Sequence, residues 1–264
     1  MNLTIISIHL NHYEGFKSTF TSVNELYKNG TTFKWIIKDG GSDLEILIKI
    51  KRDLDLLEKN TITFMSCVDK GVYDAMNEAI LGLSDNEMVL FLNCGDELTP
   101  EFINRINKES LRELDFVYSD TLIKGSSEKF ISPENIDFAY LVGKTINHQS
   151  YLIRSKLLKQ FPFNTHFSIV ADWVQLMEIF RKEKPGVKKL NFPISIYEGG
   201  GISEKQNDLR ILQRAEYLES IFSEWELKSI IKLSRIRQRS WYDFIIKALD
   251  SPKRSLILKL LSRY

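Results

Sequence analysis

Cysteine is scarce in this sequence and badly placed for the chemistries it usually supports. Cys67 and Cys94 have no CxxC spacing and no histidine cluster around them. That argues against a disulfide framework or a structural zinc site and fits a reducing compartment. Net charge is also nearly absent: 36 basic and 35 acidic residues leave a formal charge of +1. A nucleic-acid-binding chain would show a clear basic excess, so no nucleic-acid partner is expected. No apolar run reaches the roughly 18–20 residues that span a bilayer. The apolar opening from Leu3 to Leu10 has no positive leader and is broken by His9. A cytoplasmic protein, at most peripheral to a membrane, is the expectation. The glycine fingerprints GxxxxGK[ST] and GxGxxG are missing after the first strand, which disfavours a P-loop enzyme or a dinucleotide-binding one.

What is present is enough apolar material for a sizeable core: 43% of 264 residues, expected to form one domain with an appendage. Short β-rich runs alternate with helical patterns, the mark of βαβ units and a mostly parallel sheet. Strands are predicted at Leu3 to His9, Phe33 to Lys38, Thr61 to Ser66 and Glu87 to Leu92. Helices are predicted at Glu14 to Lys28, Asp43 to Leu57 and Tyr73 to Leu83. Shorter strands follow between Leu114 and Ile153, and after Gly201 the pattern turns helical, over Glu204 to Ser223 and Trp225 to Tyr264.

Ligands of an open α/β sheet bind beyond the carboxyl ends of its strands, and each of the four predicted strands ends in Asn or Asp. These are Asn11, then Asp39-Gly40-Gly41-Ser42-Asp43, then Asp69-Lys70-Gly71, then Asn93-Cys94-Gly95-Asp96. Asp39 followed by paired glycines and a helix can offer a carboxylate to a base or ribose, and the helix N-terminus favours anions. An ordinary turn with Ser42 or Asp43 as N-cap explains the same residues. Asp96 ends the most apolar strand, where a hard oxygen ligand can meet Mg²⁺ or Mn²⁺ on a diphosphate; a plain turn is the other reading. Asp69, Tyr73 and Asn77 share a face if the helix starts at Asp69, either at the site or in solvent. Asp172 lies between apolar neighbours, which would raise its pKa and suit it to accept a proton, or it caps the helix that follows. His148-Gln149 precedes an apolar run, placed to meet phosphate or to pack. The Gly199-Gly200-Gly201 loop has little side chain to anchor it and is free either to move over a ligand or simply to turn.

Taken in order, these segments resemble the family 2 glycosyltransferases of the GT-A fold, especially the colanic acid and O-antigen branch. The matches are Ile5-Ile6-Ser7-Ile8-His9-Leu10-Asn11, then Trp35-Ile36-Ile37-Lys38-Asp39-Gly40-Gly41-Ser42. Asp69-Lys70-Gly71-Val72-Tyr73-Asp74-Ala75-Met76-Asn77-Glu78-Ala79-Ile80 and Phe91-Leu92-Asn93-Cys94-Gly95-Asp96 follow, and later His148-Gln149, Ala171-Asp172-Trp173 and Gly200-Gly201-Ile202-Ser203. The resemblance implies a GT-A α/β domain over residues 1–203, a Rossmann-like sheet flanked by helices, with a helical C-terminal extension over 204–264. It further implies an inverting bacterial glycosyltransferase using a nucleotide sugar, UDP-linked by expectation, and a lipid-diphosphate-linked saccharide acceptor in O-antigen, capsule or exopolysaccharide assembly. Asp172 takes the place of the base that deprotonates the acceptor. Asn11, Asp39, Gly41, Ser42, Asp69, Lys70, Asp74, Asn77, Asn93, His148 and Gln149 line the donor site, with Asp39 at the base. Asp96 holds a divalent metal, Mn²⁺ or Mg²⁺. Asn93 and Gly95 stand where many relatives carry carboxylates, which thins the metal cluster. Asp39, Asp96 and Asp172 are thus expected around one cleft. A partner subunit of the same fold that binds without turnover is the alternative.

Residues 227–264 carry ten Lys or Arg against Asp243 and Asp250, with Trp241, Tyr242 and Phe244 among them. Such interleaving suits a helix lying on an anionic membrane surface. It equally suits a helix packed on the domain or on a second copy in a homo-oligomer.

Overall fold

Strands covered on both faces are buried at nearly every position, and two segments near the middle of the sheet are. In the computed structural model, which describes residues 2–57, 61–201 and 205–227, these are β1 (Leu3–His9) and β4 (Met88–Phe91). Side chains alternate between two cores. Ile6, Val89 and Phe91 enter one, while Ile5, Met88 and Leu90 enter the other, as the two-residue period of a strand requires. β2 (Phe33–Asp39) and β3 (Ile62–Ser66) extend the sheet in parallel beyond β1, and β4 joins β1 in parallel on its other side.

Helices α1 (Tyr13–Lys28), α2 (Leu44–Leu54) and α3 (Val72–Ile80) connect the four strands. The predicted parallel unit is therefore present, with two helix ends displaced. α2 stops at Leu54 rather than Leu57 and α3 at Ile80 rather than Leu83; α3 begins at Val72, beside the predicted Tyr73 and later than the Asp69 start that a shared face would need, so Asp69 and Lys70 precede it and Asp69 does not share a helix face with Tyr73 and Asn77. Gly71, with φ 125°, sets that later start.

The remaining strands complete two sheets. β5 (Glu97–Leu98) follows β4, then come α4 (Pro100–Arg105), β6 (Phe116–Tyr118), β7 (Thr121–Ile123) and β8 (Lys129–Phe130). After these come α5 (Phe138–Gly143), β9 (Tyr151–Arg154), α6 (Ser155–Gln160), α7 (Ala171–Lys182), β10 (Val187–Lys189), β11 (Ser195–Tyr197) and α8 (Asn207–Ile221). The large sheet runs β10-β6-β9-β4-β1-β2-β3, and the small one β5-β11-β7-β8. β9 is antiparallel to both β4 and β6, so residues entering β9 lie beside those leaving β4.

α7 and α8 pack together on the first core, with Trp173 and Tyr217 edge to face at 5.4 Å. The helical segment after Gly201 is thus present as far as α8. The basic, aromatic-rich segment from 228 on lies outside the described residues, as do Ile202 and Ser203. Among the described residues, no helix is long and apolar enough to cross a membrane.

Phe91 is fully buried and meets Phe163 edge to face at 5.4 Å. Phe91→Ala should cost about 3–5 kcal/mol of unfolding free energy, measured by urea titration; a loss below 1 kcal/mol, roughly that of a surface substitution, would contradict this packing.

Candidate active site

The strand-end loops predicted from sequence do meet at one edge, but they divide the work. Asp39 is wholly buried. Its Oδ1 faces His9 Nδ1 at 2.7 Å and accepts from the Ser42 hydroxyl. Its Oδ2 accepts from the backbone N–H of Gly41 and of Ser42, at 3.0 and 2.9 Å, and from Ser66 Oγ at 2.8 Å. His9 Nε2 accepts from the His12 N–H, so Nδ1 carries the proton toward Asp39. Burial pushes the Asp39 carboxyl up, yet the bonds from Ser42, His9 and Ser66 outweigh it and hold it at about 2. With both oxygens occupied, Asp39 clamps the ends of β1, β2 and β3 together. Asn11, in the left-handed region at φ 50°, completes the clamp: its N–H donates to Ser42 Oγ and its side chain accepts from the Asp43 N–H, each at 2.8 Å. Asn tolerates that conformation better than most residues. Asp43 is the N-cap of α2 but makes no side-chain capping bond. Gly41, at φ 94°, leaves no room for a β-carbon, which would fall 2.8 Å from Val68 Cγ2.

The third loop is held by a buried lysine. Lys38 Nζ donates to the Cys67 carbonyl at 2.8 Å and lies 3.3 and 3.2 Å from Asp69 and Glu78 carboxylate oxygens. Asp69 also accepts from the Gly71 N–H, and Asp74 from the Lys70 N–H, both at 2.9 Å. The Lys70 side chain is exposed. Asn77 is spent on the peptide of Phe163, donating to its carbonyl at 2.8 Å and accepting from its N–H at 2.9 Å.

Beyond β4 opens a cavity of about 660 Å³, walled by Asn93, Cys94, Asp96, His148, Gln149, Asp172, Glu198 and the Gly199–Gly201 loop among others. Asp96 and Asp172 therefore share one cleft. Asp39 is not among its lining residues and lies behind it, beside β1.

Asp96 is anchored by α1: buried Thr19 donates to the Asp96 carbonyl at 2.7 Å and accepts from the Gly95 N–H at 3.0 Å. Asp96 as a whole is 5% exposed, and its carboxylate accepts from the Glu198 N–H at 2.9 Å. Burial pushes it up to about 6, against the pull of that bond. Glu198 carried no signal in the sequence. The antiparallel pairing of β11 with β5 brings it alongside Asp96, and a β-carbon added to Gly95 would fall 2.1 Å from Glu198 Oε2. Its carboxylate thus occupies the space that a side chain at 95 would fill. Glu198 also lies 3.1 Å from His12 Nε2.

Asp172 sits in the first turn of α7, whose N-cap is Val170, so it does not cap the helix. Burial alone would raise its pKa, as expected from its neighbours. The direction is the reverse: His148, the Trp173 N–H and the Tyr73 hydroxyl together hold it below the ordinary aspartate value. Trp173 N donates at 2.8 Å, the Tyr73 hydroxyl lies 3.0 Å from Oδ1, and His148 Nδ1 faces Oδ2 at 3.6 Å. His148 Nε2 in turn faces the Asn93 amide nitrogen at 3.1 Å. Asn93 Oδ1 is buried with no hydrogen-bond partner among the described residues. Tyr73, Arg210 and Arg214 also line the cavity; from the sequence the two arginines are legible only as part of a helical segment.

No family profile matches the sequence. No curated protein matches it either. Solved structures do. Residues 1–349 of TarS from S. aureus align with a TM-score of 0.64 at 13% identity, over 98% of this chain and 75% of that one. The mannosyltransferase PcManGT from Pyrobaculum calidifontis, in complex with GDP-Man and Mn²⁺, aligns with a TM-score of 0.60 at 10% identity, over 99% and 78%. Mannosyl-3-phosphoglycerate synthase from Rubrobacter xylanophilus gives 0.55 at 9%, over 83% and 75%. The chain has the GT-A fold that these structures share.

Asp39 is held below its unfolded value, so its network adds stability above about pH 4 that is lost as pH falls through about 2. Asp39→Asn should cost about 1–3 kcal/mol at pH 7 and much less near pH 2, by urea unfolding at both values. An equal cost at the two would remove the charge from this account.

Proposed function

We propose that the chain is an inverting glycosyltransferase, moving a sugar from a nucleotide-sugar donor to an acceptor hydroxyl, with Asp172 as the base. One observation carries this reading: a carboxylate held ionised in the same cavity as Asp96 and the unsatisfied Asn93 Oδ1. Asp172 takes the hydroxyl proton, the freed oxygen attacks the anomeric carbon, and the bond to the diphosphate breaks with its electrons leaving on the nucleotide. A single displacement inverts the carbon and needs no covalent enzyme intermediate. Tyr73 and His148 orient Asp172 and keep it ready to accept.

A divalent cation shared with the donor belongs to this proposal. Asp96 would hold it with Glu198 beside it, and no group of three or more His, Cys, Asp or Glu among the described residues surrounds a point. A hard cation held by one or two carboxylates takes its other oxygens from phosphates and water. When bound, it supplies neutralisation of the charge that grows on the departing diphosphate. Support for the donor class comes from structures of similar fold: TarS in complex with UDP-GlcNAc, at a TM-score of 0.62, and PcManGT with GDP-Man and Mn²⁺.

Asp39 and Asn11 act in this proposal by holding the loop Gly41–Ser42 at the donor side, and Asp69, Lys70, Asp74 and Asn77 by shaping its floor. Gln149, buried at the cavity wall, contacts the donor or acceptor. A UDP-linked sugar, a lipid-diphosphate-linked saccharide acceptor of surface polysaccharide assembly and a cytoplasmic membrane face complete the proposal. The basic, aromatic composition of residues 228–264 supports that last element.

A thermal-shift screen of UDP- and GDP-sugars with and without Mn²⁺ should find a donor that raises the melting temperature. With that donor, Asp172→Asn should lower transfer by about a hundred- to ten-thousandfold while leaving donor affinity by calorimetry nearly unchanged. No stabilising sugar nucleotide under either condition would sink the proposal, and loss of donor affinity in the variant would move Asp172 into the donor pocket.

A further inference from the structure

The cavity has a basic wall that the reaction above does not use. Arg210 and Arg214 lie one turn apart on α8 and both line the cavity, as does Lys144 at the end of α5. Two arginines four residues apart repel each other and weaken the helix that carries them, and Arg214 is 92% buried, since only 8% of it is exposed. Its guanidinium rests over the Trp173 ring at 4.8 Å. That stacking holds the group in place on the Asp172 side. Burial first, and the charge of Arg210 after it, bring Arg214 down to about 10, while Asp172 and Tyr73 pull the other way; it stays cationic at neutral pH. Arg210 donates to Asn207 Oδ1 at 2.5 Å through Nη2, but its Nε is shielded from solvent with no hydrogen-bond partner among the described residues.

The acids of the same cavity, Asp172 with its pull on Arg214 included, also have partners of their own. Asp172 accepts from Trp173 and faces Tyr73 and His148. Asp96 accepts from the Glu198 backbone, and the Glu198 carboxylate lies against His12. Like charges gathered on one wall of a partly closed cavity, with a guanidinium N–H turned to no acceptor, are what an anionic ligand with several oxygens would satisfy.

We propose that Arg210 and Arg214 form a phosphate-binding subsite on the Asp172 side of the cavity, with Lys144 adding charge at its rim. The assignment rests on the glycosyl-transfer reading of this cavity for its role, though not for its chemistry. A phosphate there belongs either to the departing diphosphate of the donor or to a phosphorylated acceptor. In both cases the guanidinium N–H groups donate to its oxygens and no bond is made or broken.

The test uses the full chain and three probes in calorimetry: UDP, inorganic pyrophosphate, and geranyl diphosphate as a soluble isoprenyl diphosphate. Arg210→Gln and the more conservative Arg214→Lys are compared with the parent protein, with circular dichroism and melting temperature recorded for each. Arg210→Gln removes the fork without touching the Trp173 stack. It should weaken at least one probe about tenfold, the value of one charge-assisted hydrogen bond. A loss confined to UDP assigns the subsite to the donor diphosphate, and one confined to geranyl diphosphate assigns it to the acceptor. A parent protein that binds pyrophosphate through the arginines but no sugar nucleotide would retain the subsite and discard the transferase reading. Unchanged affinity for all three probes in both folded variants, or no binding of any probe to the parent protein, overturns the inference.

Discussion

The strand Tyr151–Arg154 has only one place to put its backbone hydrogen bonds, the slot between β4 and β6, and the cavity depends on that constraint. An unpaired strand in the interior would leave buried N–H and C=O groups without partners. Because the pairing is antiparallel to both neighbours, the chain enters the slot where β4 leaves it. His148 and Gln149 are thereby set beside Asn93, and the chain beyond continues through α6 to α7, where Asp172 faces His148. A parallel strand in the same slot would place these residues at the opposite edge of the sheet.

Four carboxyl groups near this edge have received four different environments. Asp39 is buried and saturated, Asp172 is kept ionised by three polar neighbours, Asp96 is pushed up by burial, and Glu198 stays partly open against His12. Burial opposes ionisation at Asp39, Asp96 and Asp172 alike, so hydrogen bonds decide the outcome. What separates Asp39 from Asp172 is access: both carboxylates have partners on both oxygens, but Asp39 is enclosed in the loop network and Asp172 lines the cavity.

Sequence identities of 9–13% with structures that align at TM-scores of 0.55–0.64 indicate how little of a chain the fold requires. The two-residue alternation along strands and the apolar stripes of α1 and α3 suffice to bury both faces of the sheet. Site residues obey no such period, and chemistry can be supplied from different places along the chain. Here the carboxylate beside Gly95 comes from Glu198, more than a hundred residues downstream.

The parallel order of the first four strands, the loops at their carboxyl ends and the acids in those loops were legible in the sequence, because periodicity and turn chemistry are local properties. Pairings between distant segments were not. Nothing local distinguishes Asp39, consumed by His9, Ser42 and Ser66, from an acid free to meet a ligand. Nothing local announces that Glu198 fills the space above Gly95, that Arg210 and Arg214 line the same cavity as Asp172, or that Tyr73 and His148 reverse the pKa shift its apolar neighbours suggest. Strand and helix follow from each residue's immediate neighbours, whereas a carboxyl group's charge and reach depend on every dipole within a few ångströms, and only the closed sheet decides which those are.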